Sequence, residues 1–285
     1  MTPSAPSPAD LLDIARRAAH EAAEHIRSLD RSSIEREDKT SAHDIVTAHD
    51  RACEEIVVAA LTRDLPGARI VGEEGGARDA VEASGTGRGV TFYVDPIDGT
   101  SNFAAGLPLF CVSIGVAVGR ELVAGVVDAP ILGQVFTTDG DGARLNGEPL
   151  PPRPTRPARD ALVLAGFPGP RDLVEDPQGT LRDMTRLGDE VSAVRQPGSA
   201  ALELAWVAAG WADAAMHTRI NAWDVAAGFA LVRAAGGSIR TWPGERDAAL
   251  PAHEHPAYVA CTGQGRIPVL DEIGEAVQAR RAAAM

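Results

Sequence analysis

The chain has 285 residues, of which 45% are hydrophobic and 24% charged, and this composition is ordinary for a globular protein with a substantial core. Its 27 Lys and Arg residues against 40 Asp and Glu residues give a net charge of −13, which argues against broad nucleic-acid binding. Three widely spaced cysteines without a CxxC pair argue against zinc or redox chemistry and favour reduced thiols in the cytoplasm.

The N-terminal residues 1–9 are rich in Pro and Ser, and we expect a disordered tail there. They lack a basic segment followed by an apolar one, so they do not resemble a signal peptide. The longest apolar run, residues 107–118, is shorter than the roughly 20 residues that a membrane-spanning helix needs, which predicts no membrane partner.

Helices and strands both appear in the first half of the chain. Asp10 is expected to cap a helix whose apolar stripe ends at Ile26, and a second helix is expected to begin near Thr47 and to end at Pro66. The polar segment 30–43 and the Gly- and Ala-rich segment 75–89 are predicted loops. Strands are predicted at residues 69–72, 92–94, 110–118, 122–128 and 133–138.

A Pro- and Arg-rich linker at residues 151–159 is the best candidate for a boundary. It divides the chain into an N-terminal α+β half, residues 10–150, and a C-terminal α/β half, residues 151–285, which we expect to form one compact catalytic unit. The second half is predicted to contain a strand at 161–166 and helices at 178–188, 199–209 and 224–235.

The run DPIDGTSNF, residues 95–103, is the most informative part of the sequence. It follows an apolar strand, and it places the carboxylates of Asp95 and Asp98 three residues apart. Pro96 fixes its own φ angle, and Gly99 permits a sharp change of direction, so the two carboxylates are expected to be held close together. Such carboxylates repel each other unless a cation lies between them, and Mg²⁺ prefers oxygen ligands of this kind.

Three further acidic residues, Asp50, Glu73 and Asp224, lie where a predicted element begins or ends, which is where sites are usually built. Each also has a plain structural explanation. Asp224 is a good helix cap, Asp50 a first-turn carboxylate favoured by the helix dipole, and Glu73 a solvated loop residue. The pair at 95 and 98 alone is also compatible with an ordinary acidic turn.

Taken together, the motifs resemble the inositol monophosphatase family of Mg²⁺-dependent, lithium-sensitive phosphatases. The matching segments are GEE at 72–74, DPIDGTSNF at 95–103 and WDVAAG at 223–228, with weaker matches at Lys39, 44–50, Arg195 and 198–200. They occur in the family's order over roughly residues 10–270. The resemblance implies a layered αβαβα sandwich of the sugar-phosphatase type, and it also implies a homodimer.

The resemblance further implies a ligand set for two or three Mg²⁺ ions, for which Mn²⁺ is a possible substitute. Glu73, Asp95 and the backbone carbonyl of Ile97 would hold one ion, while Asp95, Asp98 and Asp224 would hold a second. A third, weaker ion would lie near Glu73. Bound ions of this type lower the pKa of water and neutralise the leaving oxygen of a phosphate ester.

The remaining roles that the resemblance implies concern water and substrate. Asp50 and Thr100 would orient the attacking water, with Glu73 as the third catalytic residue. Asp224 and the residue at position 217 would contact the substrate. Phosphate oxygens would be received by backbone N–H groups at helix N-termini, those of Gly99, Thr100, Gly198, Ser199 and Ala200.

The sequence departs from the family at His217, where inositol-phosphate enzymes carry glutamate, and at Ala105, where many relatives have histidine. Arg219 and Asn221 add donors nearby, so we expect a more anionic or differently shaped ester, although His217 is also compatible with a solvated loop residue. The predicted function is a Mg²⁺-dependent phosphomonoesterase acting on a small polyol or sugar phosphate, with inositol monophosphate the first candidate. Histidinol phosphate and fructose 1,6-bisphosphate are alternatives, 3′-phosphoadenosine 5′-phosphate ranks lowest, and a non-catalytic regulatory binding protein is the competing class.

Overall fold

The computed structural model describes residues 6–30, 34, 37–41, 44–78, 87 and 89–283. The helices within these ranges are α1 (Pro8–Ser28), α2 (Ala48–Asp64), α3 (Thr100–Ala104), α4 (Pro170–Glu175), α5 (Pro177–Glu190), α6 (Ala200–Ala208), α7 (Ala222–Ala234) and α8 (Pro268–Ala283). The strands up to the linker are β1 (Glu37–Ser41), β2 (Asp44–Val46), β3 (Arg69–Gly72), β4 (Gly76–Arg78), β5 (Val90–Asp98), β6 (Cys111–Val118), β7 (Glu121–Ala129), β8 (Gln134–Thr138), β9 (Ala143–Leu145) and β10 (Glu148–Pro149). Those that follow it are β11 (Leu162–Ala165), β12 (Ala193–Arg195), β13 (Ala214–His217), β14 (Ser238–Trp242) and β15 (Ala257–Cys261).

The larger sheet of the described residues has eight strands in the order β10-β9-β8-β7-β6-β5-β3-β4. Its neighbours pair antiparallel, except that β3 and β5 are parallel. The parallel register sets Gly72 beside Val94. Parallel strands end at the same edge of a sheet, so the chain delivers Glu73 and Asp95 to one place.

The second sheet has five strands in the order β12-β11-β13-β15-β14. Strand β11 runs parallel to β12 and β13, whereas β15 is antiparallel to both of its neighbours. The predicted linker at 151–159 lies between the last strand of the larger sheet and the first strand of this one. Strands β1 and β2 form a separate antiparallel pair.

The elements stack in five layers. Helices α1 and α2 cover the outer face of the larger sheet, α6 and α7 lie between the two sheets, and α5 and α8 cover the far face of the second sheet. Buried aliphatic and aromatic side chains fill the spaces between the layers: Phe92 belongs to the cluster beneath α1 and α2, Phe229 to the cluster between the two sheets, and Phe167 to the cluster beneath α5 and α8. The predicted αβαβα sandwich is confirmed.

Several element boundaries differ from the sequence prediction. Helix α1 begins at Pro8, because Ser7 rather than Asp10 is the N-cap, and Asp10 closes a capping box from the third helical position. Helix α7 begins at Ala222, so Asp224 is likewise not the N-cap but the third helical residue, from which it accepts the backbone N–H of Asn221. The predicted loop 30–43 contains strand β1, and the predicted loop 75–89 contains β4. Residues 1–5 of the predicted tail, and 79–86 and 88 of that loop, lie outside the described residues.

Two glycines allow α7 to pack directly on the larger sheet. Gly115 of β6 and Gly125 of β7 are paired across the two strands. A Cβ atom on Gly115 would lie 2.4 Å from the Cβ of Ala226, and one on Gly125 would lie 2.8 Å from the carbonyl oxygen of Ala227. Because neither contact is tolerable, only glycine permits this approach, and it brings the first turn of α7 close to β5.

None of the helices in the described ranges is both long and apolar enough to cross a lipid bilayer.

Candidate active site

The candidate site begins at the carboxyl end of β5. Asp95 pairs with Ser113 of β6 and Asp98 with Cys111, and the register is irregular between them, so the intervening residues bulge from the ladder. The backbone N–H of Ile97 donates to Oδ1 of Asp95 at 3.1 Å. The bulge turns both carboxylates toward one point, although Asp95 is only 2% exposed and Asp98 only 7%.

Asp224 completes a cluster of three carboxylates. It lies in the first turn of α7, where its Oδ2 accepts the backbone N–H of Asn221 at 2.8 Å. One oxygen from each of Asp95, Asp98 and Asp224 lies within 4.8 Å of the others, and this arrangement could hold a metal ion. We call these three residues the carboxylate cluster. Among the described residues, none of the three forms a salt bridge with Lys or Arg.

Burial raises the pKa of every member of the cluster, and repulsion from the other carboxylates adds to it at Asp95 and Asp224. Burial, then Glu73 and the other two carboxylates, raises the pKa of Asp95 well above its usual value. Burial followed by Asp98 and Glu73 raises the pKa of Asp224 to about 7. Burial also raises the pKa of Asp98 to about 6, although hydrogen bonds from Ser199 and Ala201 oppose it. A divalent cation would relieve this repulsion, so the residues present fit the metal that the family implies.

Glu73 follows β3, and its backbone N–H donates to the carbonyl of Val94 at 3.2 Å. The charge of Glu73 raises the pKa values of Asp95 and Asp224. Its carboxylate, however, is not among the cluster oxygens that lie within 4.8 Å of one another. The turn that carries it is held by Glu54 of α2, which is 2% exposed. The Glu54 carboxylate accepts the backbone N–H groups of Glu74 at 2.8 Å and Gly75 at 2.7 Å.

Asp50 and Thr100 are joined as the resemblance implied. The Thr100 hydroxyl lies 3.0 Å from Oδ1 of Asp50 and 3.1 Å from the carbonyl oxygen of Ile97. The other Asp50 oxygen accepts the backbone N–H of Thr47 at 2.8 Å and the hydroxyl of Thr47 at 2.6 Å. Asp50 is therefore fixed in the first turn of α2. When the Thr100 hydroxyl donates its hydrogen bond to Asp50, the lone pairs of the Thr100 oxygen are free to accept another hydrogen bond.

Gly99 has φ +97°, and it ends β5 and begins α3. A Cβ there would lie 3.0 Å from the carbonyl oxygen of Leu109 and 3.2 Å from that of Gly198. The left-handed conformation and this crowding both require glycine. Because Thr100 is the first residue of α3, its N–H has no acceptor within that helix.

The N-terminus of α6 binds Asp98. The hydroxyl of Ser199 and the N–H of Ala201 donate to Oδ2 of Asp98 at 2.6 and 2.7 Å, and the N–H of Ala200 donates to Oδ1 at 3.3 Å. The N–H of Gly198 donates to Glu203 at 3.3 Å. The sequence prediction assigned the N–H groups of Gly198 and Ala200 to phosphate, whereas the structure pairs them with protein carboxylates, because a buried carboxylate needs these donors.

His217 is not a solvated loop residue. Its Nε2 lies 2.9 Å from the carboxylate of Glu203, which is fully buried, and its ring stacks on Tyr258 with centroids 5.5 Å apart. Burial alone would lower the pKa of His217, but Glu203, with Asp224 and Asp98 beyond it, outweighs burial and raises this pKa. Glu203 therefore favours the protonated form of this ring near the carboxylate cluster.

Two of these supporting residues, Glu54 and Glu203, did not emerge from sequence reasoning. Both lie within helices, and each meets its partner only through the fold. A charged residue in an otherwise apolar helix was the available signal for Glu203, since its neighbours from Ala200 to Ala208 are almost all apolar.

The chain matches the model of the inositol monophosphatase family over residues 7–272. It is 38% identical over 239 residues to the Nus factor SuhB of Pseudomonas aeruginosa, covering 83% of this chain and 87% of that protein. It is also 38% identical over 206 residues to the inositol-1-monophosphatase of Mesorhizobium japonicum, covering 72% of this chain and 74% of that protein.

Among solved structures, inositol monophosphatase from Anabaena (Nostoc) superposes with a TM-score of 0.73 at 28% identity, covering 94% of this chain and 95% of that one. The family match over residues 7–272 includes the carboxylate cluster and its supports. The chain belongs to the inositol monophosphatase family.

Proposed function

We propose that this protein is a Mg²⁺-dependent phosphomonoesterase for a small polyol or sugar phosphate, with inositol monophosphate as the first candidate substrate. The observation that carries the proposal is the carboxylate cluster, whose oxygens lie within 4.8 Å of one another beside the Asp50–Thr100 hydrogen bond. Glu73, Asp95, Asp98, Asp224 and the carbonyl of Ile97 would hold the metal ions. When bound, Mg²⁺ supplies Lewis acidity, which lowers the pKa of water and stabilises charge on the ester oxygens.

The chain's own residues position the reactants. Asp50 accepts a hydrogen bond from the Thr100 hydroxyl. The Thr100 oxygen in turn accepts a hydrogen bond from the attacking water and aligns this water with phosphorus. The N–H groups of Gly99 and Thr100 at the start of α3 receive phosphate oxygens. Asp98 is fixed by Ser199, Ala200 and Ala201, so that it cannot rotate away from an ion. This gives Ser199 and Ala200 a positioning role at Asp98, and Gly198 positions Glu203 through its N–H.

Phosphate release from a panel of phosphomonoesters, with Mg²⁺ and with EDTA, tests the proposal. We expect Mg²⁺-dependent release that Li⁺ inhibits and that Mn²⁺ partly supports. Asp95→Asn removes the ligand shared between two ions and should lower kcat/KM about 10³-fold, the equivalent of ~4 kcal/mol, while the folded state persists. No release from any ester at any Mg²⁺ concentration would overturn the proposal.

A second candidate function is a regulatory role in transcription, and what favours it is the 38% identity to a protein named Nus factor SuhB. The two roles are separable, because Asp95→Asn should lower kcat/KM about 10³-fold without altering the surface. An Asp95→Asn protein that still replaces the Nus factor SuhB in a strain lacking it would favour the regulatory role.

A homodimer and a cytoplasmic location complete the proposal. The dimer comes from the resemblance and the location from the three widely spaced cysteines. The exposed ring of Trp211, beside an apolar groove of about 480 Å³, is a candidate contact surface for the dimer. Light scattering on the purified chain measures its mass, and 29.7 kDa for the species in solution would contradict the dimer.

A further inference from the structure

A second cavity of about 420 Å³ adjoins the carboxylate cluster, and Asp224 forms part of its wall. The loop that joins β13 to α7 forms one side of it, and the start of α4 forms another. Four arginines line this space, which we call the arginine cavity: Arg171, Arg219, Arg246 and Arg281. Its volume suits the alcohol portion of a small phosphate ester.

Two of the four arginines are already engaged. Arg281 forms salt bridges of 2.8 Å with both Asp172 and Glu175, and Arg246 donates to the backbone carbonyl of Glu254 at 2.6 Å. Within the described part of the chain, Arg171 and Arg219 form neither a salt bridge nor a side-chain hydrogen bond. Glu175 and Glu245 act on Arg219 through their charge alone, so both guanidinium groups keep donors for a ligand.

The balance of charge in the cavity is positive even after its acidic residues are counted. Asp172 is compensated by Arg281 and by hydrogen bonds from Thr218 and Gly169 at 2.8 Å. Glu245 remains as the other carboxylate of the wall besides Asp224, which belongs to the carboxylate cluster. Burial, followed by the charges of Arg171 and Arg281, lowers the pKa of Arg219. Three guanidinium groups that repel one another would be stabilised by an anion placed between them.

We propose that the arginine cavity binds a second anionic group, carboxylate or phosphate, on the alcohol portion of the substrate. This inference rests on the proposed phosphatase function and deepens it. An ester whose phosphate is bound at the carboxylate cluster extends past Asp224 into the cavity, where Arg171 and Arg219 form charge-assisted hydrogen bonds with the second anion. We therefore expect kcat/KM to be highest for esters with an anionic alcohol portion, lower for those with a neutral one, and lowest for those with a cationic one such as histidinol.

Two matched pairs of esters test this ranking. Glycerol 2-phosphate and 2-phosphoglycerate differ only in that a hydroxymethyl group becomes a carboxylate, and fructose 1-phosphate and fructose 1,6-bisphosphate differ by a more distant phosphate. In at least one pair we expect kcat/KM to be about tenfold or more higher for the ester with the second anion. The doubly substituted Arg171→Gln/Arg219→Gln protein should reduce that ratio about tenfold or more.

The control variant is Arg182→Gln, which neutralises an exposed arginine of α5 that does not line the cavity. It should leave the ratio unchanged, so a loss of ratio in both variants would contradict a specific subsite. Equal kcat/KM within both pairs, insensitive to the double substitution, would overturn the inference while the phosphatase function stood.

Binding without catalysis separates failure of the inference from failure of the proposed function. In EDTA, line broadening of the ³¹P signal of inorganic phosphate reports binding that needs no metal. Broadening that disappears in Arg171→Gln/Arg219→Gln and persists in Arg182→Gln supports the anion subsite even if no ester is hydrolysed. Broadening that is absent, or identical in all three proteins, overturns it.

Discussion

The carboxylate cluster and the arginine cavity share the first turn of α7, but they are built in different ways. Two members of the cluster come from one short motif at the end of β5, and both are buried. The cavity is assembled from α4, the β13–α7 loop, the segment after β14, and α8, and its free arginines are exposed. The carboxylates proposed to hold the metal therefore lie in the packed interior, whereas the arginines proposed to select the substrate lie at the surface.

The largest effect on the cluster side, apart from loss of a metal ligand, is expected from Thr100. Thr100→Ala removes the hydroxyl that lies 3.0 Å from Asp50, and we expect kcat to fall about 10²-fold with little change in KM, because the attacking water loses its alignment. Thr100→Ser keeps the hydroxyl and should retain most of the activity. Steady-state kinetics decide this, and equal losses in the two variants would contradict a role for the oxygen.

Helix α7 contributes to the carboxylate cluster and to the arginine cavity, and its position depends on close packing against the larger sheet. Gly115→Ala should therefore affect both regions. The added Cβ would lie 2.4 Å from the Cβ of Ala226, and we expect a loss of about 1–3 kcal/mol in the free energy of unfolding, together with weaker Mg²⁺ activation. Gly188→Ala in α5 is the control, because a Cβ there meets nothing within 4 Å. Urea denaturation compares them, and an unchanged stability for Gly115→Ala would contradict the packing argument.

Glu54→Gln should produce a smaller change that is confined to the cluster. It puts an amide NH₂ where a carboxylate accepts two backbone N–H groups, so the turn that carries Glu73 loosens. We expect the Mg²⁺ concentration for half-maximal rate to rise about tenfold, with Glu55→Gln on the exposed side of the same helix as the control. A shift in KM for the ester without a shift in the Mg²⁺ requirement would indicate a different role.

The raised carboxyl pKa values predict how the metal-free protein responds to pH. Since the folded protein holds protons on Asp98 and Asp224, with pKa values of about 6 and 7, and the unfolded chain releases them near pH 4, these groups make stability fall as pH rises from about 4 to about 7. Mg²⁺ should counteract this fall by neutralising the ionised cluster. Thermal unfolding across this range in EDTA and in Mg²⁺ measures the two slopes, and parallel slopes would contradict the prediction.

The sequence predicted the central part of the site well because that part is local. Asp95, Asp98 and Gly99 lie within five residues, and the bulge at the end of β5 brings the two carboxylates together. The layered fold followed from the resemblance, and it is confirmed. What the sequence could not reveal depends on long-range packing: the Glu203–His217 pair, the hold of Glu54 on the Glu73 turn, and the use of the α6 N-terminus by Asp98.

The central claim is that the carboxylate cluster holds a divalent cation, and calorimetric titration with Mg²⁺ tests it most directly. At pH 7, in two buffers of different ionisation enthalpy, we expect saturable binding with release of protons, because the pKa of Asp95 is raised and that of Asp224 is about 7. Asp95→Asn should abolish this binding. Mg²⁺ binding of equal affinity in Asp95→Asn, or binding without proton release in the wild type, would contradict the account.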